Sequence, residues 1–241
     1  MQGVLTLTRS TIGQKAIVAV TGVILFGFVI GHLTGNLILL AGPEAYNAYA
    51  AALKGNAPLL WGTRITLLTS VILHIVFTMQ LAKRNASARP NAYQKPRKDL
   101  VTTYAARSMV LTGPLLAAFI AFHLAHFTVP GIGINGVFDP HNPYANLVQD
   151  FRVWYVSAIY IFANILLGLH LWHGGWSAAQ SIGAQHPKYD ALKMRLAAGL
   201  ALFVACGNVF IPIAVQTHII GSSEQLAESR ALVAAEQAEE E

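Results

Sequence analysis

One cysteine, Cys206, stands in 241 residues. Its solitude excludes an internal disulfide framework and any zinc or iron–sulfur site built on cysteine. Placed in an apolar block, it is expected to pack as a small hydrophobe. Charge is scarce as well: 11% of residues carry it, less than half the roughly 25% of a soluble domain. Acidic residues are missing from every long apolar block. That excludes a carboxylate-bridged di-metal centre, which needs acids on facing helices. No grouping of nucleophile, acid and base is visible either. No catalytic residue is assigned, and substrate chemistry is expected in a partner chain.

Apolar length is what the chain has in abundance. Hydrophobic residues make up 54% of it, gathered in blocks of about twenty, each able to cross a hydrocarbon core of about 30 Å. The spans read as 14–40, 61–81, 104–127, 153–179 and 192–220. Hydrocarbon offers backbone groups no water, so such spans must be helices. The expected fold is all-α, an integral membrane bundle of five transmembrane helices. Pro114 and Pro212 fall inside the third and fifth spans and are expected to kink them. The first block is too long for a signal peptide and lacks a small-residue cleavage site behind it, so it is expected to stay in the membrane.

Lysine and arginine set the direction. Arg9 and Lys15 open the first span, and Lys83, Arg84, Arg89, Lys95, Arg97 and Lys98 follow the second. Lys188, Lys193 and Arg195 stand between the fourth and fifth or at the start of the fifth, whereas the remaining connections hold little besides Lys54. Positive residues stay cytoplasmic, which puts the N-terminus inside and the C-terminus outside. The same distribution explains the net charge of +5 without any nucleic-acid surface. The basic stretch 83–99 reads first as a topogenic signal; a docking surface for a cytoplasmic partner, or for anionic lipid, is the alternative. Two parts follow: a transmembrane domain, 1–221, and an acidic polar tail, 222–241. The tail reads as a solvated helix capped by Ser223, or as disorder.

Histidine carries the chemistry. Nine are present, and the first four spans place His32, His74, His123 and His170 within the membrane. Ionisable residues at that depth usually face the bundle interior or a functional cavity. One such histidine could be a core hydrogen-bonding residue; four on four helices ask for more. At 1.5 Å per residue, His32 lies roughly 25 Å from the cytoplasmic end of its helix, and His123 at a similar depth. Helices running back place His74 roughly 14 Å, and His170 a similar distance, from their cytoplasmic ends. Two layers result, roughly 10 Å apart: His32 with His123, and His74 with His170. Paired imidazoles at matching depth are what six-coordinate haem iron takes as axial ligands, with a macrocycle held between helices. His126 and His173 follow two of these at i+3, on nearly the same face. The span limits are fixed only to within several residues, so either could stand in for its neighbour, although the layers favour His123 and His170. Otherwise they are candidates to bond a haem propionate, a quinone or water. Lys15, Arg64, Arg107, Arg152 and Arg195, at helix ends, are further propionate candidates, each set against plain anchoring at the interface. His141, His186 and His218 read as solvated or structural. Gly27, Gly31 and Gly35 line one face around His32, open to a flat cofactor or to a neighbouring helix.

Several stretches resemble a known family: Gly-Phe-Val-Ile-Gly-His-Leu-Thr-Gly-Asn (27–36), Gly-Pro-Glu-Ala-Tyr-Asn (42–47), Phe-His-Leu (122–124) and Leu-His-Leu-Trp-His-Gly-Gly-Trp-Ser (169–177). They are similar to the cytochrome b membrane-anchor subunit of succinate dehydrogenases and fumarate reductases, the respiratory complex II type with one anchor polypeptide and two haems. The resemblance runs from about residue 7 to 220 and implies axial ligands at His32, His74, His123 and His170. It also implies a flavoprotein subunit and an iron–sulfur subunit on the cytoplasmic face of a bacterial inner membrane, with quinone exchanging electrons through two haem b groups. Some menaquinone-using relatives carry intramembrane glutamates, and none occurs in these spans; Glu44 lies in the first outer loop, as a solvated charge or loop cap. The quinone site is not placed by any motif, although the long connection 129–150 with Tyr144 is a candidate cover. Two other readings stand beside this one: the di-haem anchor of another quinone-linked oxidoreductase, and a haem-free proton-coupled transporter, which usually has a helix broken at mid-membrane.

Overall fold

The computed structural model describes residues 8–88, 104–128, 138–184 and 186–240. The described residues form eight α-helices and no strand. Five of the helices are long and apolar enough to cross a membrane. They are α1 (Thr11–Asn36), α3 (Ala57–Ser87), α4 (Tyr104–Phe127), α6 (Trp154–Ser181) and α7 (Pro187–Gln216). Three shorter helices, α2 (Pro43–Gly55), α5 (Pro143–Phe151) and α8 (Ser223–Glu240), follow the first, third and fifth long ones. The chain is an all-helical, multi-pass membrane protein. Its outward faces are apolar: Val110 is 83% and Met79 67% exposed, which water would penalise and hydrocarbon accepts.

Side-chain caps, more than hydropathy, fix where α3 and α7 start. Asn56 accepts from the Leu59 amide and Pro58 sits in the first turn of α3, where its missing N–H costs nothing. His186 caps α7 through the Lys188 amide ahead of Pro187. Both helices therefore begin earlier than their apolar runs, at 57 and 187 instead of 61 and 192. The far end of α7 comes sooner than expected, at Gln216, because His218 and Gly221 take left-handed backbone conformations that turn the chain. α4 and α7 run on through Pro114 and Pro212.

α6 packs against α1, α4 and α7, and α1 also holds α3. α3 and α4, each set against one member of the α1–α6 pair, do not pack closely on one another. Around this ring of four, α1 faces α4 and α3 faces α6 across the interior. Glycine brings α7 close: a Cβ on Gly207 would lie 2.7 Å from Leu33 of α1, and one on Gly168 2.8 Å from Ala205.

The three short helices pack on one another and close one end of the bundle. Under them lies the larger core cluster, with Leu39, Tyr144, Val148, Phe151, Val156, Val215 and Leu226 all buried. The tail does not behave as the sequence leads one to expect. It is helical, but α8 buries Leu226, Ser229 and Val233, one stripe at helical spacing, against α2 and α5. Its N-terminal cap is Ser222, which accepts from the Gln225 amide, with Ser223 the first helical residue. Ser229 Oγ donates to Asn142 Oδ1 at 2.6 Å, and Asn142 Nδ2 returns to the Ser229 carbonyl at 3.2 Å. Cys206 differs as well: it is exposed on the outer face of α7 and does not pack inside.

Candidate functional site

The interior of the four-helix ring holds the histidines. His32 of α1 and His123 of α4 have ring centroids 5.9 Å apart, and His74 of α3 and His170 of α6 lie 6.5 Å apart. Each pair joins helices that face one another across the bundle. The first pair lies toward the capped end and the second toward the open end.

The spacing of the pairs follows from the hydroxyls that touch them. Thr21 of α1 contacts His74, and His32 comes eleven residues later on the same helix. Thr112 of α4 contacts His170, and His123 again comes eleven residues later. At 1.5 Å per residue the two levels lie about 16 Å apart along the helix. That exceeds the 10 Å or so expected from span boundaries, which do not coincide with the helix ends: the helix carrying His32 stops at Asn36 and the helix carrying His74 runs on to Ser87.

Three of the four rings are held by a hydroxyl at Nδ1. His74 Nδ1 lies 3.1 Å from Thr21 Oγ1, His170 Nδ1 3.3 Å from Thr112 Oγ1, and His123 Nδ1 3.2 Å from the Tyr160 hydroxyl. Thr21 donates its own proton to the Ile17 and Val18 carbonyls. With that proton committed to its own helix, the Thr21 oxygen accepts from His74 Nδ1–H, the tautomer that leaves Nε2 as a lone pair. A histidine whose outer nitrogen is anchored this way is prepared to ligate through the other. His32 is steadied by stacking on Phe28, 5.3 Å between centroids.

These pairs can be tested against a metal held in a macrocycle. With about 2 Å from metal to nitrogen and roughly 1.1 Å from nitrogen to ring centre, two axial imidazoles have centroids about 6.2 Å apart. The observed 5.9 and 6.5 Å bracket that value. No cluster of three or more metal-ligating side chains occurs among the described residues, and an iron with four macrocycle nitrogens needs only two from the protein. The donor set fits haem. Along α1, a Cβ on Gly27 or Gly31 would meet nothing within 4 Å. Gly35 is different, since a Cβ there would run into the Tyr49 hydroxyl, so it serves helix packing. Gly22, unnoticed in the sequence, gives room to His74, whose Cε1 a Cβ would approach to 3.3 Å.

The remaining candidates divide. His126 is 1% exposed and fully engaged: Nε2 lies 2.9 Å from Asp150 Oδ2, and Nδ1 3.0 Å from the Tyr160 hydroxyl. It is therefore available neither as a replacement ligand nor for a propionate. His173 is half-buried one turn beyond His170. Arg152 donates to the Gly221 carbonyl at 2.6 Å, and Arg64 lies over the Trp61 ring. Lys15 and Arg195 are exposed, and the side chain of Arg107 lies outside the described residues. Glu44 is exposed in the first turn of α2, where the helix dipole favours a carboxylate. His141, His186 and His218 are exposed. Tyr144 is fully buried beneath the cap and donates to Gln225, so it covers no open site. Most of the basic stretch 83–99, and residues 129–137 of the long connection, fall outside the described residues.

Asp150 and Tyr160 escaped the sequence reading. Asp150 passes for a loop charge and Tyr160 for one more aromatic in a span. The available signal was a lone acid immediately before an apolar helix that carries a tyrosine ten residues on. Compared with models of protein families, with curated proteins and with solved structures, the chain matches none.

Proposed function

We propose that this chain is the di-haem cytochrome b membrane anchor of a succinate dehydrogenase or fumarate reductase, passing electrons between a cytoplasmic iron–sulfur subunit and membrane quinone. The observation that carries the reading is the pair of histidine pairs: two levels, two helices each, at the ring separation axial ligation needs. His32 with His123 and His74 with His170 would each hold one haem b, which supplies one-electron carriage when bound. The chain's own part is to orient the imidazoles, keep water out and set the polarity around them. The order of the four histidines and their flanking motifs favours the succinate and fumarate enzymes over other quinone-linked oxidoreductases. In this reading the open end faces the cytoplasm and the flavoprotein and iron–sulfur partners of a bacterial inner membrane, and the capped end faces outward.

The transporter reading is less favoured, since each of the five long helices is continuous where described. The test is the dithionite-reduced minus oxidised spectrum of the purified chain with haem quantified per polypeptide. Two b-type haems are expected, with one lost in both His32→Ala and His123→Ala and the other in both His74→Ala and His170→Ala. A haem-free chain overturns the proposal and returns the histidines to proton transfer or packing. Co-purification with a flavin-containing, succinate-oxidising partner separates this anchor from that of another oxidoreductase.

A further inference from the structure

The capped-end pair has something that the open-end pair lacks. His74 and His170 each meet a threonine hydroxyl. His123 meets a tyrosine that is itself tied to a buried histidine and, through it, to a buried carboxylate. The contacts run His123 Nδ1 to Tyr160 OH, 3.2 Å; Tyr160 OH to His126 Nδ1, 3.0 Å; and His126 Nε2 to Asp150 Oδ2, 2.9 Å. Every intermediate member is buried: Tyr160 at 5%, His126 at 1% and Asp150 at 5% exposure. Phe119, Phe122, Phe127 and Phe151 box the tyrosine ring, at centroid distances of 4.8 to 5.9 Å.

The chain has a direction. With Asp150 as a carboxylate, His126 donates from Nε2 and is left with an acceptor at Nδ1. Tyr160 then donates to His126, and its oxygen accepts from His123 Nδ1–H. That fixes the His123 tautomer with Nε2 free, the form a metal needs.

Asp150 is not placed for the benefit of its own helix. It stands in the last turn of α5, where the helix dipole disfavours a negative charge. Its hydrogen-bonded partner is His126, on a different helix. The corner that holds it is itself braced: Ser157 Oγ and Gln216 Nε2 both donate to the Phe151 carbonyl, at 2.6 and 2.7 Å.

We infer that Asp150, His126 and Tyr160 form a positioning relay that orients His123 and raises its basicity as a ligand, so that the capped-end haem is held at a lower potential than the same site without it. This rests on the di-haem reading. Electron density pushed toward the ligating nitrogen stabilises the ferric state, and the effect must pass through the tyrosine hydroxyl.

The test is a potentiometric titration of the full chain in its membrane, comparing wild type, Tyr160→Phe, Asp150→Asn, the double variant, and Thr112→Val. Tyr160→Phe keeps the ring and its packing while removing the hydroxyl. It is expected to move one of the two potentials upward by about tenfold in the ferric–ferrous equilibrium, about 59 mV for a one-electron couple. Asp150→Asn moves the same haem in the same direction by a smaller amount, and adds nothing once Tyr160 is Phe. Thr112→Val moves the other haem, which assigns the two. If both potentials stay put in Tyr160→Phe, the relay is overturned and the di-haem reading stands. If Asp150→Asn shifts the haem equally with or without the tyrosine hydroxyl, the carboxylate acts through space and the relay is likewise overturned. A wild-type chain without haem overturns both.

Discussion

Leu33 on α1 fills the groove that Gly207 leaves on α7, and this contact gives a quantitative test of how the bundle is held. Leu33 is 0% exposed, and a Cβ on Gly207 would lie 2.7 and 2.9 Å from its two methyl carbons. In a soluble core, Leu33→Ala would lose both transfer and cavity energy. Between membrane helices the transfer part is small, because lipid is as apolar as leucine. The cavity part remains, and at 24 cal/mol per Å³ a void of about 80 Å³ amounts to about 2 kcal/mol. Gly207→Ala overpacks the site at about 2 kcal/mol and regains about 1 kcal/mol of helix propensity. On its own it should therefore destabilise by about 1 kcal/mol. Once Leu33 is Ala the clash is gone, and the same substitution should stabilise by about 1.5 kcal/mol from propensity and refilled space. The double variant is thus expected about 2.5 kcal/mol more stable than additivity allows, near the top of the range for residues in contact. Unfolding of the purified chain in mixed micelles, titrated with a denaturing detergent and followed by circular dichroism, reads all four corners of the cycle. Additivity to within about 0.5 kcal/mol would refute the argument that a glycine-made groove seats Leu33.

Two further outcomes concern the cap. Ser229→Val removes the hydroxyl that donates to buried Asn142, which should cost about 1–2 kcal/mol and speed limited proteolysis within α8 while the long helices stay protected. Burial beside Asn36, and secondarily the neighbouring Tyr49, pushes the Tyr46 phenol up to about 12. Its folded form keeps the proton longer than the unfolded chain does, so the associated stability is complete below about pH 10 and lost as pH rises toward 12. The loss, up to about 3 kcal/mol, should vanish in Tyr46→Phe when stability is measured across that window, and ultraviolet titration should show one late-ionising tyrosine fewer.

The spanning helices were legible because an apolar run long enough to cross a bilayer leaves the backbone few alternatives. The third and fourth spans were read almost to their ends, but the starts of the second and fifth were not, because Asn56 and His186 start helices inside polar sequence by capping, a local effect hydropathy does not register. Depth along antiparallel helices placed together the same histidine rings that meet in the structure. It favoured His123 but kept His126, one turn beyond, as an alternative, because nothing along the helix shows that Asp150, twenty-four residues from His126, claims that ring. The tail looked soluble because Leu226, Ser229 and Val233 are a thin stripe among Ala, Glu and Gln. A stripe that narrow signals burial only when Asn142 and Tyr144 are known to face it.

The seal at the capped end also sets an order of events. Asn142, between α4 and α6, bonds both to Asn47 of α2 and to Ser229 of α8. Segments that leave the membrane after the first, third and fifth crossings thus meet in one knot of amides and a hydroxyl. The knot cannot be tied until α8 has been made and has emerged beside the other two. In architectural terms α8 is the keystone, set last, and a nascent chain that stops short of it leaves Asn47 and Asn142 facing an unfinished arch.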